Sequence, residues 1–312
     1  MTNPHNPVNT EPFAGFSFDT AAFDGESMYN GLQTKIEKRY SKGLSFLAAY
    51  TWSHAGDSGN NPGIGGGPWP LRNTNLIPQK YEFTNSVFDV RQRFTLNGFY
   101  ELPFGKGRKW AHEGGAMDYL VGGWSTSLTF VAQTGNPFTV VPGNNFIGAN
   151  GDQYGYNAIR VGNPFAGGGT VPVGNVDMTG HTCPASVKNR TNWYNPCAFV
   201  DPESGLNIPL SGPGSEITDM PTAISYLGGK SLQIYGPGYE HVNMSAFKNF
   251  KTWRTQYFQF RADAFNLLNH PSWGSPSDTS LNPSAGLINT TEVLQNYTPD
   301  ARFFQLAGKY VF

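Results

Sequence analysis

The chain has 312 residues and a formal net charge of -1, with 14% charged and 14% aromatic side chains, whereas soluble domains average about 25% charged residues. That balance excludes the basic face a nucleic acid needs, and no run approaches the roughly 18 apolar residues of a transmembrane helix. The mean hydropathy of -0.40 suits a soluble chain, yet an alternating membrane strand also averages to a near-neutral value.

The opening stretch, "MTNPHNPVNTEPFAGF", has no basic or apolar region of a secretory signal. Residues 1–28 are expected as an external loop or disordered segment. Seven segments of period two follow. In "YNGLQTKIEKRY" (29–40), Leu32, Thr34 and Ile36 share one face, with Gln33, Lys35, Glu37 and Arg39 on the other. A three-residue turn, 41–43, leads into "LSFLAAYTWSH" (44–54), where Leu44, Phe46, Ala48, Tyr50 and Trp52 form an unbroken apolar face. "VRQRFTLNGFYE" (90–101) sets Phe94, Leu96, Gly98 and Tyr100 against Arg91, Arg93, Thr95 and Asn97. "GWSTSLTFVAQT" (123–134), "HVNMSAFKNF" (241–250), "TQYFQFRADAFNLL" (255–268) and the terminal "RFFQLAGKYVF" continue the pattern, the last with Phe304, Leu306, Gly308, Tyr310 and Phe312 on one side.

A helix is excluded for these segments, because charges at every second position would fall all round it. The segments run to 10–14 residues; ordinary strands have about 5–6, and a tilted membrane-crossing strand needs about 9–11. The links between them have 3, 35, 21, 106, 4 and 33 residues in chain order. Short turns on one side and long loops on the other predict an up-and-down transmembrane β-barrel. If the last strand ends in the periplasm, the long links, including the large loop 135–240, lie outside. The 21-residue link fits poorly as a periplasmic turn. A soluble sandwich also alternates, so a secreted β-rich module binding carbohydrate or protein is the rival reading; strand length, loop asymmetry, Trp and Tyr near segment ends and the terminal Phe312 favour the barrel. Within the large loop, Cys183 and Cys197 stand 14 positions apart in a Gly/Pro/Asn-rich stretch. They are either a disulfide of an oxidising compartment or two unrelated thiols.

Six stretches then carry a family resemblance: "YNGLQTKIEKRYSKGLSFLAAYTWSHAGD", "FDVRQRFTLNGFYELPFGKGRKW", "GGWSTSLTFVAQTGNPFTV", "WYNPCAFVDP", "YGPGYEHVNMSAFKNF" and "FQFRADAFNLLNHPSWGSP". In this order, over most of 29–312, the chain resembles the C-terminal barrel portion of TonB-dependent outer-membrane receptors, in particular the Oar-like branch, whose members often carry a carboxypeptidase-regulatory-like domain. The resemblance implies about seven C-terminal strands of a 22-stranded plugged barrel in the bacterial outer membrane, binding and importing an oligosaccharide, a peptide or a metal chelate. It implies outer-membrane lipid, the barrel-assembly machinery, an N-terminal plug and TonB as partners. It also implies a C-terminal assembly signal at Phe304, Leu306, Tyr310 and Phe312. Seven strands leave two edges, which hydrocarbon does not tolerate, so the chain is expected as an open or incomplete barrel: a fragment, or the product of a misplaced start.

No catalytic constellation stands out, and neither an enzyme nor a cofactor is expected. The six histidines lack paired-ligand spacing, "PGIGGGPWP" lacks the Lys-Ser/Thr ending of a phosphate loop, and "NNFIGANGDQYG", with Asn144, Asn150 and Asp152, lacks the bidentate Glu of a calcium loop. A glycosidase would need two facing carboxylates, which Asp57, Asp89, Asp152, Glu203 and Glu240 would supply only by chance. Arg261 and Asp263 share the polar face with Lys309, a lumen network keeping a wet wall satisfied or contacting plug or substrate. Lys248 falls on the apolar face, where snorkelling to headgroups accounts for it. Trp69, Trp193 and Tyr194 in the external loops are candidates for stacking on a ligand, or packing residues of a compact loop.

Overall fold

The computed structural model describes residues 26–58, 83–110, 115–142, 146–147, 153–154, 157–173, 175, 178–201, 232–291 and 300–312. Seven long strands dominate it: β1 (Ser27–Ser41), β2 (Leu44–Asp57), β3 (Gln92–Glu101), β4 (Trp124–Gln133), β5 (Tyr239–Lys251), β6 (Tyr257–Phe265) and β7 (Phe303–Val311). They pair antiparallel in chain order, each with its sequence neighbours. β1 and β7 each keep one edge unpaired among the described residues, so the barrel is not closed.

The register carries the alternation across the whole wall. Ala48 stands opposite Leu96, Leu96 opposite Phe130, and Phe130 opposite Val242. Two rows further on, Phe46, Gly98, Leu128 and Met244 line up in the same way. Directly opposed residues share a face, so the apolar positions of all seven strands merge into one surface. Much of it lies open: Leu306 is 71% exposed and Phe312 90%. The other face is built of rows such as Phe99, Ser127, Ser245, Asp263 and Gln305. No second long-stranded sheet covers either face among the described residues, which removes the sandwich reading.

The β1–β2 connection is tighter than expected. Ser41 already pairs with Leu44, leaving a two-residue turn of Lys42 and Gly43, both at positive φ (52° and 79°). That is the mirror-image turn whose twist suits a hairpin. A register shift between Lys38 and Ser41 brings Tyr40 to the polar face, where its hydroxyl donates to Glu101 at 2.5 Å. β6 ends at Phe265, short of the expected 268, because Asn266 turns to φ 46° and its side-chain amide donates to the carbonyls of His270 and Asp300.

The link after β3 is folded, which explains its length. Its short helix α1 (Ala116–Val121) is held by Asp118, whose Oδ1 accepts the Lys106 N–H at 2.6 Å, and by the Trp124 indole donating to the Leu120 carbonyl at 2.9 Å. Lys248 points from the apolar face of β5 to this helix: it is 5% exposed, and its ammonium donates to the Tyr119 carbonyl beside the rings of Tyr119 and Phe250. The lysine thus caps the carbonyl end of α1.

The most deeply buried apolar cluster lies outside the sheet. The described parts of the links 135–240 and 269–301 form a block around Phe138, Val140, Tyr194, Phe199, Ile234 and Leu281. Asn195 is a polar hub within it, accepting from Cys197 N–H and donating to the carbonyls of Ala166 and Gly168. Cys183 and Cys197 are bonded to each other, their Cα atoms 6.0 Å apart.

Candidate functional site

Where the loop block meets the strand ends, a cleft of about 720 Å³ opens. Tyr50, Phe94, Ala132 and Glu240 form its strand wall, and they are one transverse row of the apolar face. Phe165, Lys188, Trp193 and Tyr235 close it from the block.

Buried hydrogen bonds hold these groups in place. Asp89 is fully buried; its Oδ1 accepts the Ala55 N–H at 2.7 Å, and its Oδ2 accepts the Tyr235 hydroxyl at 2.5 Å. Arg91 completes the triangle, its Nε 3.0 Å from Asp89 Oδ2 and 2.7 Å from the Tyr235 oxygen. Burial, reinforced by the Asp89 carboxylate, pushes the Tyr235 phenol up to about 12. The Tyr235 carbonyl accepts the Trp193 indole N–H at 2.8 Å, and Trp193 stands edge-on to Phe165 and Trp273. Lys188 sits at φ 59° with its ammonium 4.8 Å from the Phe165 ring centre, and it forms no ion pair among the described residues. Glu240 and His270 face one another at 3.3 Å. Aromatic faces, one ammonium without an ion pair among the described residues and a carboxylate–imidazole pair can hold a ligand. No group of three metal-ligating side chains occurs among the described residues.

The candidates named from sequence part company here. Trp193 lines the cleft. Tyr194 faces the opposite way, 0% exposed, with its ring against Phe138 and Phe199 and its phenol pushed up by burial; it is a packing residue of the block. Trp69 lies outside the described residues, as do Asn144, Asn150, Asp152 and Glu203. Arg91, Lys188, Tyr235 and Glu240 are cleft residues that sequence reasoning did not assemble. Arg91 was legible as a charge at a strand entrance; Tyr235 carried no signal, being 146 positions from Asp89.

On the polar face, Arg261 donates to Asp263 at 2.8 Å, and Ser245 donates to the same carboxylate. Lys309 shares this face, opposite Gln259 and two rows beyond the Arg261–Ala307 pair, and makes no ion pair among the described residues. The side chains of Phe304, Leu306 and Tyr310 project from the opposite, apolar face of β7, where their row partners are Ala264, Ala262 and Phe258.

A long-stranded antiparallel wall, apolar on one side and polar on the other, with a folded block at one end, defines a transmembrane β-barrel domain. The chain belongs to the outer membrane beta barrel domain family, whose model matches residues 1–305. It is accordingly a protein of the bacterial outer membrane. No curated protein and no solved structure matches it.

Proposed function

We propose that this barrel serves a TonB-dependent receptor of the Oar-like kind, binding a nutrient (an oligosaccharide, a peptide or a metal chelate) and passing it through a plugged lumen. The polar face carries the reading. Its Ser245–Asp263–Arg261 cluster sits on a strand wall whose other side is apolar. Lone charged clusters on a lipid-facing wall are costly, whereas a water-filled bore lined by them suits polar cargo. The edges of β1 and β7, unpaired among the described residues, suit a place in a larger barrel, since unsatisfied backbone groups in hydrocarbon each cost several kcal/mol.

The test is uptake. Cells lacking this barrel and cells lacking TonB are supplied with labelled oligosaccharides, peptides and iron chelates, and intracellular label is counted. The reading expects at least one cargo to be lost in both strains. Loss in neither strain, or loss in the barrel mutant with normal uptake without TonB, overturns energised import.

A further inference from the structure

The cleft straddles the rim of the wall: its floor is the apolar row Tyr50–Phe94–Ala132–Glu240, while Arg91, Gln133 and Tyr239 line it from polar-face positions. Directly along the same strands lies a second hollow, an apolar groove of about 490 Å³ lined by Phe46, Leu96, Gly98, Tyr100, Leu128 and Met244. The cleft rests on the row Tyr50–Phe94–Ala132–Glu240, and the groove centres on the row Phe46–Gly98–Leu128–Met244. Four residues of strand, about 13 Å, separate the rows. Gly98 leaves the floor of this groove open: a Cβ built there meets nothing within 4 Å.

We propose that cleft and groove together form a binding site for one anionic glycolipid of the outer leaflet. The sugar headgroup lies in the cleft against Trp193 and Phe94, a headgroup phosphate pairs with the Lys188 ammonium, and an acyl chain descends into the hollow at Gly98. Three observations converge on this occupant. The floor of the cleft and the groove lie on the same apolar face of the same four strands, at the spacing of a headgroup and its chain. Lys188 lacks an acidic partner among the described residues, so an anion is the complement the cleft lacks. The face itself is the one that meets lipid, which leaves a soluble cargo no approach to the lower groove. The proposal rests on the 135–240 link facing outward, because that places the cleft at the outer leaflet; it is independent of the import reading.

The experiment uses the barrel purified from outer membranes, delipidated and placed in phosphatidylcholine nanodiscs. Bisphosphorylated lipid A, its fully dephosphorylated form and phosphatidylglycerol are titrated in, and bound lipid is counted by native mass spectrometry. The expected result is one retained lipid A, with binding about tenfold weaker for the dephosphorylated form and for Lys188→Glu, the loss of one charge-assisted contact. Gly98→Leu, which fills the groove, is expected to weaken lipid A severalfold while leaving Lys188 in place. Gly98→Ala serves as a milder filling should the leucine variant fail to insert, and heat-modifiable mobility on gels verifies folding. Retention of phosphatidylglycerol equal to lipid A, or lipid A binding unchanged in both the position-188 and position-98 variants, overturns the site and leaves only annular lipid. Surface biotinylation of the 135–240 link in intact cells separates a wrong orientation from a wrong site: an unlabelled link sinks the outer-leaflet assignment whatever the titrations give.

Discussion

Tyr235 donates its phenolic hydrogen to Asp89 across 2.5 Å, joining the loop block to the approach of β3 over 146 positions of sequence. Folded, the phenol ionises near pH 12, above its ordinary value of 10, so the native block favours the neutral form. Its contribution is complete below pH 10 and fades as pH climbs from 10 to about 12. A tyrosinate titration at 295 nm should therefore show one late phase absent from Tyr235→Phe. The substitution leaves Asp89 with Arg91 and the Ala55 N–H and is expected to cost about 1–3 kcal/mol, read as earlier protease cleavage of the block. A titration identical in both proteins would remove the phenol from this role.

The Cys183–Cys197 bond closes a short loop within the block. By chain entropy such a closure is worth about 3 kcal/mol. Cys183→Ser with Cys197→Ser should loosen the block without unseating the barrel: limited proteolysis cuts the 135–240 link faster, while the heat-modifiable band of the strand wall stays put. Unchanged proteolysis would mean that the Asn195 hub alone holds the segment.

Lys248 occupies an apolar-face position yet is nearly buried, because its ammonium reaches the Tyr119 carbonyl of α1. Lys248→Met keeps the stem and removes the donor, leaving the helix end uncapped. The expected loss is about 2 kcal/mol, the value of a hydrogen bond to a charged group. Hydrogen exchange at Gly122, whose N–H donates to Asp118 O, should accelerate in this variant and remain slow in Lys248→Arg. Equal rates in all three proteins would reduce the lysine to a snorkelling side chain.

Phe312 is 90% exposed, with its ring edge-on to Tyr310 at 5.2 Å. It buries almost nothing in the fold, so Phe312→Ala should barely change the thermal stability of barrel already inserted. If the terminal aromatic is read by the assembly machinery, the amount reaching the outer membrane falls severalfold, measured by fractionation and gel mobility. Normal delivery would show that Phe304 and Leu306 suffice.

The alternation of side chains in the amino-acid sequence determined the seven strands, their faces and their chain-order pairing, because period two is a local property of extended backbone and each two-faced strand has only one way to meet lipid. The alternation puts Leu306 on one side of the last strand with Phe304 and Tyr310, and Asp263 with Arg261 on the polar face. What tertiary structure decided lies in the links. The slip between Lys38 and Ser41 that turns Tyr40 to the polar side, the burial of Tyr194 beside an accessible Trp193, the capture of Lys248 by α1 and the meeting of Asp89, Arg91 and Tyr235 all depend on how long loops close in space. Loop closure is governed by packing and buried hydrogen bonds between distant residues, and those partners leave no periodic trace along the chain.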